Sequence, residues 1–424
     1  MLTLNRFNGL SFSRKRRKMS NPKILFISGS IGLGHVTRDL AIARELRVQY
    51  PQAEISWLAA HPASQVIEEK GETLLPEAAF FANDNISAEQ AAETGYRLNL
   101  LNYLLKAKGT WKQNVEVFRQ VVEEKQFDLI VADEAYEIKM ALSSGKVRID
   151  IPFVMIYDFI GNASVSWNPL EKLGIYLWNR KWARFGDFFH DPKNIALFIG
   201  QPEDIPDTRL GFRLPNRREL AIKVCHFVGY VLPFDPADYA DRAAIRARLG
   251  YGQETLIICS IGGTSVGKDL LELCGQAFPI IQEKIPDARM ILVCGPRLSP
   301  DLLNVPEGVE IKGYLPALYE HFAACDLAII QSGNTSILEL TALRRPFICF
   351  PLKGHFEQEL YLPQRLARHQ SGVRMHFSRT TPETLAEAVI KNLNTEPTWP
   401  AIPTDGAKKA AEAISRLLQN FTQN

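Results

Sequence analysis

The sequence predicts an α/β protein made of two doubly wound parallel-sheet domains that face a central cleft. Three observations predict it. First, one phrase is written twice: the apolar run 23–29 enters the loop Gly29-Ser-Ile-Gly-Leu-Gly-His35 ahead of a helical pattern, and the run 256–262 enters Gly262-Gly-Thr-Ser-Val-Gly267 ahead of another. Strand, glycine turn and helix together present backbone N–H groups and a helix N-terminus to an anion. Second, short and almost continuously apolar strands alternate with helical stretches, as in a parallel sheet covered on both faces. Third, 424 residues are long for one core and suit two domains.

The first domain is expected over residues 19–229. After its opening strand come a helix over 37–50, a strand over 53–60 and a helix through 66–70. Residues 88–125 read as mostly helical, interrupted near Lys108-Gly109. Asp128-Leu-Ile-Val-Ala-Asp133 is a buried strand with an acid at its carboxyl end, and 152–156 is the next strand. Residues 157–190 are rich in aromatic side chains (Trp167, Tyr176, Trp178, Trp182, Phe185, Phe188, Phe189), with Arg180, Lys181 and Arg184 interleaved. A helix packed on the sheet fits that pattern. So does an amphipathic surface for a membrane interface or an apolar acceptor. Residues 230–236 form the expected linker. The second domain, 237–400, carries strands at 255–259, 289–294, 326–330 and 346–350. Residues 401–424 hold a terminal helix, 407–418, long enough to cross back onto the first domain.

A hydrophobic content of 46% with 23% charged residues excludes a disordered or fibrous chain. The six cysteines lack CxxC spacing, and Cys259, Cys294 and Cys349 sit in strand-like runs, so neither a disulfide framework nor a zinc site is expected. Residues 1–18 hold six basic side chains and no acid, which leaves the body acidic despite a formal charge of +2. That tail reads as a disordered extension or mis-called start, with a polybasic contact to anionic lipid as the sharper alternative. Nucleic-acid binding is not expected, because the body has no basic stripe. No apolar stretch reaches the ~18–20 residues of a membrane span. A cytoplasmic protein, with contact to the inner membrane face, is expected.

Two lookalike motifs are set aside. Gly262-Gly-Thr-Ser-Val-Gly-Lys268-Asp269 resembles a P-loop, but Asp269 stands where Ser or Thr must hold Mg²⁺. The first loop is Gly-x-x-Gly-x-Gly, and the second strand ends in Leu58-Ala-Ala-His61 without the acid a dinucleotide ribose requires. Two further loops follow strands of the second domain: Gln331-Ser-Gly-Asn-Thr-Ser-Ile-Leu-Glu339 and Lys353-Gly-His-Phe-Glu357-Gln358. The first offers hydroxyls and free N–H groups to a diphosphate and an acid to a ribose diol. The second offers an acid and an amide to sugar hydroxyls. Any one of these loops alone reads as a helix start. Three in one half-domain, all at strand carboxyl ends, point to a nucleotide sugar.

With these residues, the chain resembles the GT-B glycosyltransferases, which have two Rossmann-like domains. The likeness is to the branch of the peptidoglycan N-acetylglucosaminyltransferase, diacylglycerol galactosyltransferases and UDP-glycosyltransferases (family 28 and family 1 like). It runs from residue 23 to about 393. By position, the resemblance implies that Gly262, Gly263, Thr264, Ser332, Gly333, Thr335 and Ser336 hold the diphosphate. It implies Glu339 for the ribose, Glu357 and Gln358 for the donor sugar, and the backbone of Gly313-Tyr314-Leu315 for the uracil. Gln331 stands where plant-type members have His, which removes one charge-assisted phosphate contact; His355 either compensates or faces solvent. Gly32 and Gly34 belong to the acceptor-side loop. The resemblance implies a UDP-sugar or related donor as co-substrate, with dTDP contacted similarly. It also implies no cofactor or metal. The aromatic stretch and the basic tail favour a lipid or lipid-linked acceptor, with a soluble polyketide or glycan as the alternative.

His35 closes the first loop and is the candidate general base. A neutral imidazole can take the proton from an acceptor hydroxyl as that oxygen attacks the anomeric carbon. Asp133 is expected to orient the ring, with Glu134 and Asp158 competing for that role. Direct displacement then inverts the anomeric centre. The same first loop suits a nucleotide-sugar hydrolase or epimerase, and a non-catalytic nucleotide-sugar binder is the third reading.

Overall fold

The structure, a computed structural model, describes residues 21–29, 33–82, 92–93, 97–98, 100–263, 266–393 and 395–423. The basic tail, Gly32 and Thr264 lie outside the described residues.

Among the described residues, seven parallel strands form the first sheet. Their order is Thr73–Leu74, Glu54–Leu58, Lys23–Ile27, Leu129–Asp133, Phe153–Tyr157, Asn194–Ile199, Cys225–Gly229. Leu129–Asp133 and Phe153–Tyr157 are buried end to end, as strands covered on both faces must be. The second sheet has six parallel strands, ordered Glu310–Lys312, Ala288–Val293, Thr255–Ser260, Leu327–Gln331, Phe347–Phe350, Val373–Arg374. In each sheet the strand order reverses beside the domain's first strand. The reversals fall between Lys23–Ile27 and Leu129–Asp133, and between Thr255–Ser260 and Leu327–Gln331. Loops leaving such a point diverge and open a crevice at the strands' carboxyl ends. Both glycine loops leave from these crevices.

One sequence expectation needs correction, and two take a definite form. Within the stretch expected to be helical from residue 88, Ala92–Glu93 pairs antiparallel with Arg97–Leu98, and the helix Leu100–Glu124 runs through Gly109 unbroken. An interior glycine costs a helix only about 1 kcal/mol, and Val117, Phe118 and Val121 anchor this one in the core. Residues 230–236, the expected linker, are packed: Tyr230, Leu232 and Phe234 alternate into the core of the second domain. The aromatic stretch divides its faces instead of choosing one. In the helix Pro169–Trp182, capped by the Asn168 side chain, Ile175 and Trp182 are buried, whereas Leu170, Leu173 and Leu177 are exposed.

The chain crosses between domains twice, side by side. The terminal helix Gly406–Gln423 packs on Gly34–Gln49 and Cys225–Gly229, putting Ala410, Ala411 and Ile414 into the first domain's core. Its first residue donates its N–H to the Tyr230 carbonyl at 3.0 Å. In return, Phe356 and Tyr361 of the second domain pack into the first: Phe356 meets Phe159 edge-on at 5.4 Å, and Arg217 donates to the Tyr361 hydroxyl at 3.3 Å.

Candidate active site

A cleft of about 420 Å³ separates the carboxyl ends of the two sheets. Its second-domain wall carries Gly262, Gly263, Tyr314, Leu315, Gln331, Ser332, Gly333, Thr335, Ser336, Glu339, His355, Glu357 and Gln358. Gly262 turns with φ +78°, a left-handed conformation that glycine adopts without a Cβ penalty. Among the described residues, the helices that follow the Gly262 and Gln331 loops, Lys268–Lys284 and Asn334–Ala342, begin with no side-chain cap. An uncapped start leaves first-turn N–H groups for an anion. Ser332 is buried beside Cys349, and among the described residues its hydroxyl has no nitrogen or oxygen partner.

The amide of Gln331, turned so that its nitrogen faces carbonyls, donates to Ile261 O at 2.9 Å and Val266 O at 2.8 Å. It braces the glycine turn from beneath, a role distinct from that of a charged phosphate ligand. Gln358 Oε1 accepts the Leu352 N–H at 2.8 Å and so closes the loop bearing His355 and Glu357. Burial pushes the His355 imidazole down to about 4, so it is neutral and carries no charge toward a phosphate.

Burial raises the Glu339 carboxyl to about 8. Burial, with Asp158 nearby, raises Glu357 to about 8 as well. An unfolded glutamate releases its proton near 4.5, so between that value and about 8 the folded protein binds more protons at Glu339 than the unfolded chain does. The resulting stability is full below the lower value and is lost as pH rises through the upper one. We therefore expect the denaturation midpoint of the ligand-free protein to fall between about pH 5 and pH 8, and Glu339→Gln to flatten that decline. An unchanged slope in the variant would rule out Glu339 as its source.

The first-domain wall is organised around Arg38, which sequence reasoning missed. Arg38 is buried, donates to Asp133 through Nε (2.7 Å) and Nη2 (2.5 Å), and donates to Asp158 Oδ2 through Nη1 (2.8 Å). Its Nη2 also lies 2.8 Å from His35 Nδ1, and Asp133 Oδ2 lies 3.2 Å from the same ring nitrogen. Asp133 thus sits beneath the cleft wall, beside His35 but already paired with Arg38. Burial alone would raise the carboxyls of Asp133 and Asp158, but the guanidinium overrides it and holds both below the usual range. Glu134 goes the other way. Burial and the neighbouring Asp158, with which it hydrogen-bonds, keep it protonated well above its ordinary range. Glu134 has φ +51°, accepts from the Tyr136 hydroxyl at 3.1 Å, and brings Oε2 to 3.7 Å from His35 Nε2. A signal for Arg38 was present, because it lies one turn after His35 on the same helix face. Trp111, Tyr136, Phe159, Trp178 and Trp182 line the rest of this half. Trp111 and Trp178 come within 5.7 Å, centroid to centroid.

The two walls meet at Gly34. A Cβ there would overlap Thr335 Oγ1, so glycine is what lets the helix of the first domain reach the Ser332–Ser336 loop of the second. Gly34→Ala is expected to force the walls apart and reduce turnover on the order of a hundredfold. Thr335→Gly in the same chain should restore part of the rate, and no rescue would show that this contact does not limit closure.

Two parallel doubly wound domains joined across such a cleft define the GT-B architecture. Residues 257–417 match the Glycosyltransferase family 28 C-terminal domain. The chain is 23% identical over 194 residues to an uncharacterized glycosyltransferase of Methanopyrus kandleri, covering 45% of this chain and 54% of that one. It is 28% identical over 116 residues to the UDP-N-acetylglucosamine–N-acetylmuramyl-(pentapeptide) pyrophosphoryl-undecaprenol N-acetylglucosamine transferase of Carboxydothermus hydrogenoformans, covering 26% of this chain and 31% of that one. The matched segments therefore span about half or less of these relatives' length. Medicago truncatula UGT71G1 complexed with UDP-glucose shares the fold at a TM-score of 0.58 and 12% identity, over 95% of this chain and 98% of that one.

Proposed function

We propose that the protein transfers a sugar from a nucleoside-diphosphate sugar, with UDP-sugars first among candidates, to a hydroxyl of an apolar acceptor, inverting the anomeric carbon. The observation that carries this reading is that one cleft is lined jointly by His35 and by Ser332, Gly333, Thr335, Ser336, Glu339 and Glu357. In the proposed step, His35 Nε2 takes the acceptor's proton while the acceptor oxygen bonds to the anomeric carbon. The bond from that carbon to the diphosphate breaks, and its electron pair leaves on the phosphate oxygen. N–H groups at the start of Asn334–Ala342 and in the Gly262 turn are aimed at that developing charge, so the step calls for no metal.

The aromatic wall supports an acceptor with an apolar body. Beyond it, Trp167 is 93% exposed with Lys172 Nζ over its ring at 5.2 Å, and Phe212 is 75% exposed with Arg213 over its ring at 5.1 Å. Aromatic rings flanked by cations suit a lipid interface, which supports a lipid or lipid-linked acceptor and peripheral membrane contact. Among the described residues, no helix is long and apolar enough to cross a membrane.

Thermal shifts with a panel of nucleoside diphosphates would identify the base. Incubation with the matching nucleotide sugars, with and without hydroxylated lipids in anionic vesicles, would then test transfer. Glycolipid formed only with both substrates is the expected result. Rapid stoichiometric release of free sugar without acceptor would overturn transfer in favour of hydrolysis.

A further inference from the structure

We propose that Asp204, a first-domain residue outside the cleft, positions the donor cradle of the second domain through Arg365; the inference rests on the donor reading above. The Asp204 side chain is fully enclosed. Oδ2 accepts the Gln201 N–H at 2.7 Å, which ties the carboxylate to its own turn, Pro202–Asp204. Oδ1 accepts Arg365 Nε at 2.8 Å and Arg368 Nη2 at 2.6 Å, and the Tyr230 hydroxyl donates to Oδ2 at 3.0 Å. Burial would raise this carboxyl, but the Arg365 charge outweighs it and holds the group below its usual range.

The other end of Arg365 reaches the cradle. Its Nη1 donates to Asn334 Oδ1, and Asn334 is the first residue of the uncapped helix Asn334–Ala342. Carboxylate, guanidinium and carboxamide thus form one relay from the acceptor-side domain to the N-terminus aimed at the diphosphate. Only a rigid planar fork can hold both ends together; a lysine ammonium makes point contacts and cannot span them. Arg368 provides an internal contrast. It pairs with the same carboxylate, but its other contacts are the Tyr230 hydroxyl and His369 Nε2 (3.4 Å), away from the cradle. When the domains part, Arg365 loses its counter-charge and Asn334 loses its brace. A well-formed cradle and the assembled domain pair therefore favour one another, and by linkage donor binding favours assembly.

The test uses the full chain and UDP as probe. UDP affinity is read by calorimetry, donor KM and kcat by initial rates, and folding by melting. Arg365→Lys should raise the UDP Kd and donor KM about tenfold, with kcat at saturating donor nearly unchanged. Arg368→Lys should lower the melting temperature and leave donor KM at the wild-type value. Asp204→Asn should weaken UDP binding in the wild-type background and add nothing in the Asn334→Ala background. Wild-type affinity in Arg365→Lys, an equal loss in Arg368→Lys, or additive losses at Asp204 and Asn334 would each overturn the relay. If Arg365→Lys does not fold, the Asp204–Asn334 cycle makes the same decision. A wild-type protein that binds no nucleoside diphosphate would overturn the donor reading itself, which is distinguishable from normal binding with unaffected variants.

Discussion

His35→Ala is expected to lower turnover by about 10²–10⁴-fold while leaving nucleoside-diphosphate affinity unchanged. The ring stands on the first-domain wall, and among the described residues no second-domain side chain of the cleft depends on it for a hydrogen bond. Its Nδ1 has the Arg38 donor at 2.8 Å and the Asp133 acceptor at 3.2 Å, neighbours that favour opposite tautomers. The tautomer protonated at Nδ1 leaves the Nε2 lone pair free for an acceptor hydroxyl. Once Nε2 is protonated, Asp133 beside Nδ1 and Glu134 Oε2 at 3.7 Å from Nε2 face the imidazolium. Single-turnover rates and UDP titration on the same preparation separate the two effects. Unchanged turnover would exclude His35 as the base, and a matching loss of UDP affinity would show that the ring supports the cradle instead.

Arg38→Met is expected to destabilise the protein by about 3–5 kcal/mol, because it strands buried anions at Asp133 and Asp158. Adding Asp133→Asn and Asp158→Asn should recover much of that loss, since no uncompensated charge then remains. The pH dependence has a definite sign. Arg38 holds both carboxyls below the usual range, so the stability it confers is present above about pH 4 and is lost as pH falls through their depressed values. In Arg38→Met those carboxyls protonate more readily. The gap between variant and wild type should therefore narrow on acidification, as read by urea denaturation. A constant gap would mean that Arg38 acts through packing.

Glu134 shows how close a local reading can come without reaching the chemistry. Sequence placed an acid pair, Asp133-Glu134, at the end of a strand and offered either member, or Asp158, as partner to His35. The structure gives the three carboxyls different states: Asp133 and Asp158 are anions clamped by Arg38, and Glu134 is a protonated neighbour of Asp158. The cause is burial around a single guanidinium, which no spacing rule registers. Gln331 makes the same point in the second domain. Its position after a strand was legible, but its bracing of Ile261 and Val266 depends on a turn some seventy residues earlier in the chain.

By itself the sequence determined the local units: apolar strands, the glycine turns that leave them, and helix starts rich in Ser, Thr and Gly. These follow from residue-level preferences for burial and backbone geometry, so they are written where they act. Tertiary structure decided everything that depends on strand order. Lys23–Ile27 pairs with Leu129–Asp133, and this carries Arg38 to an acid 95 residues away and, one strand further, to Asp158 at 120. Packing between the domains brings Asp204 to Arg365, 161 residues on. Buried charges must find partners wherever the fold delivers them, and those pairings exist only once both sheets are assembled and water has been excluded.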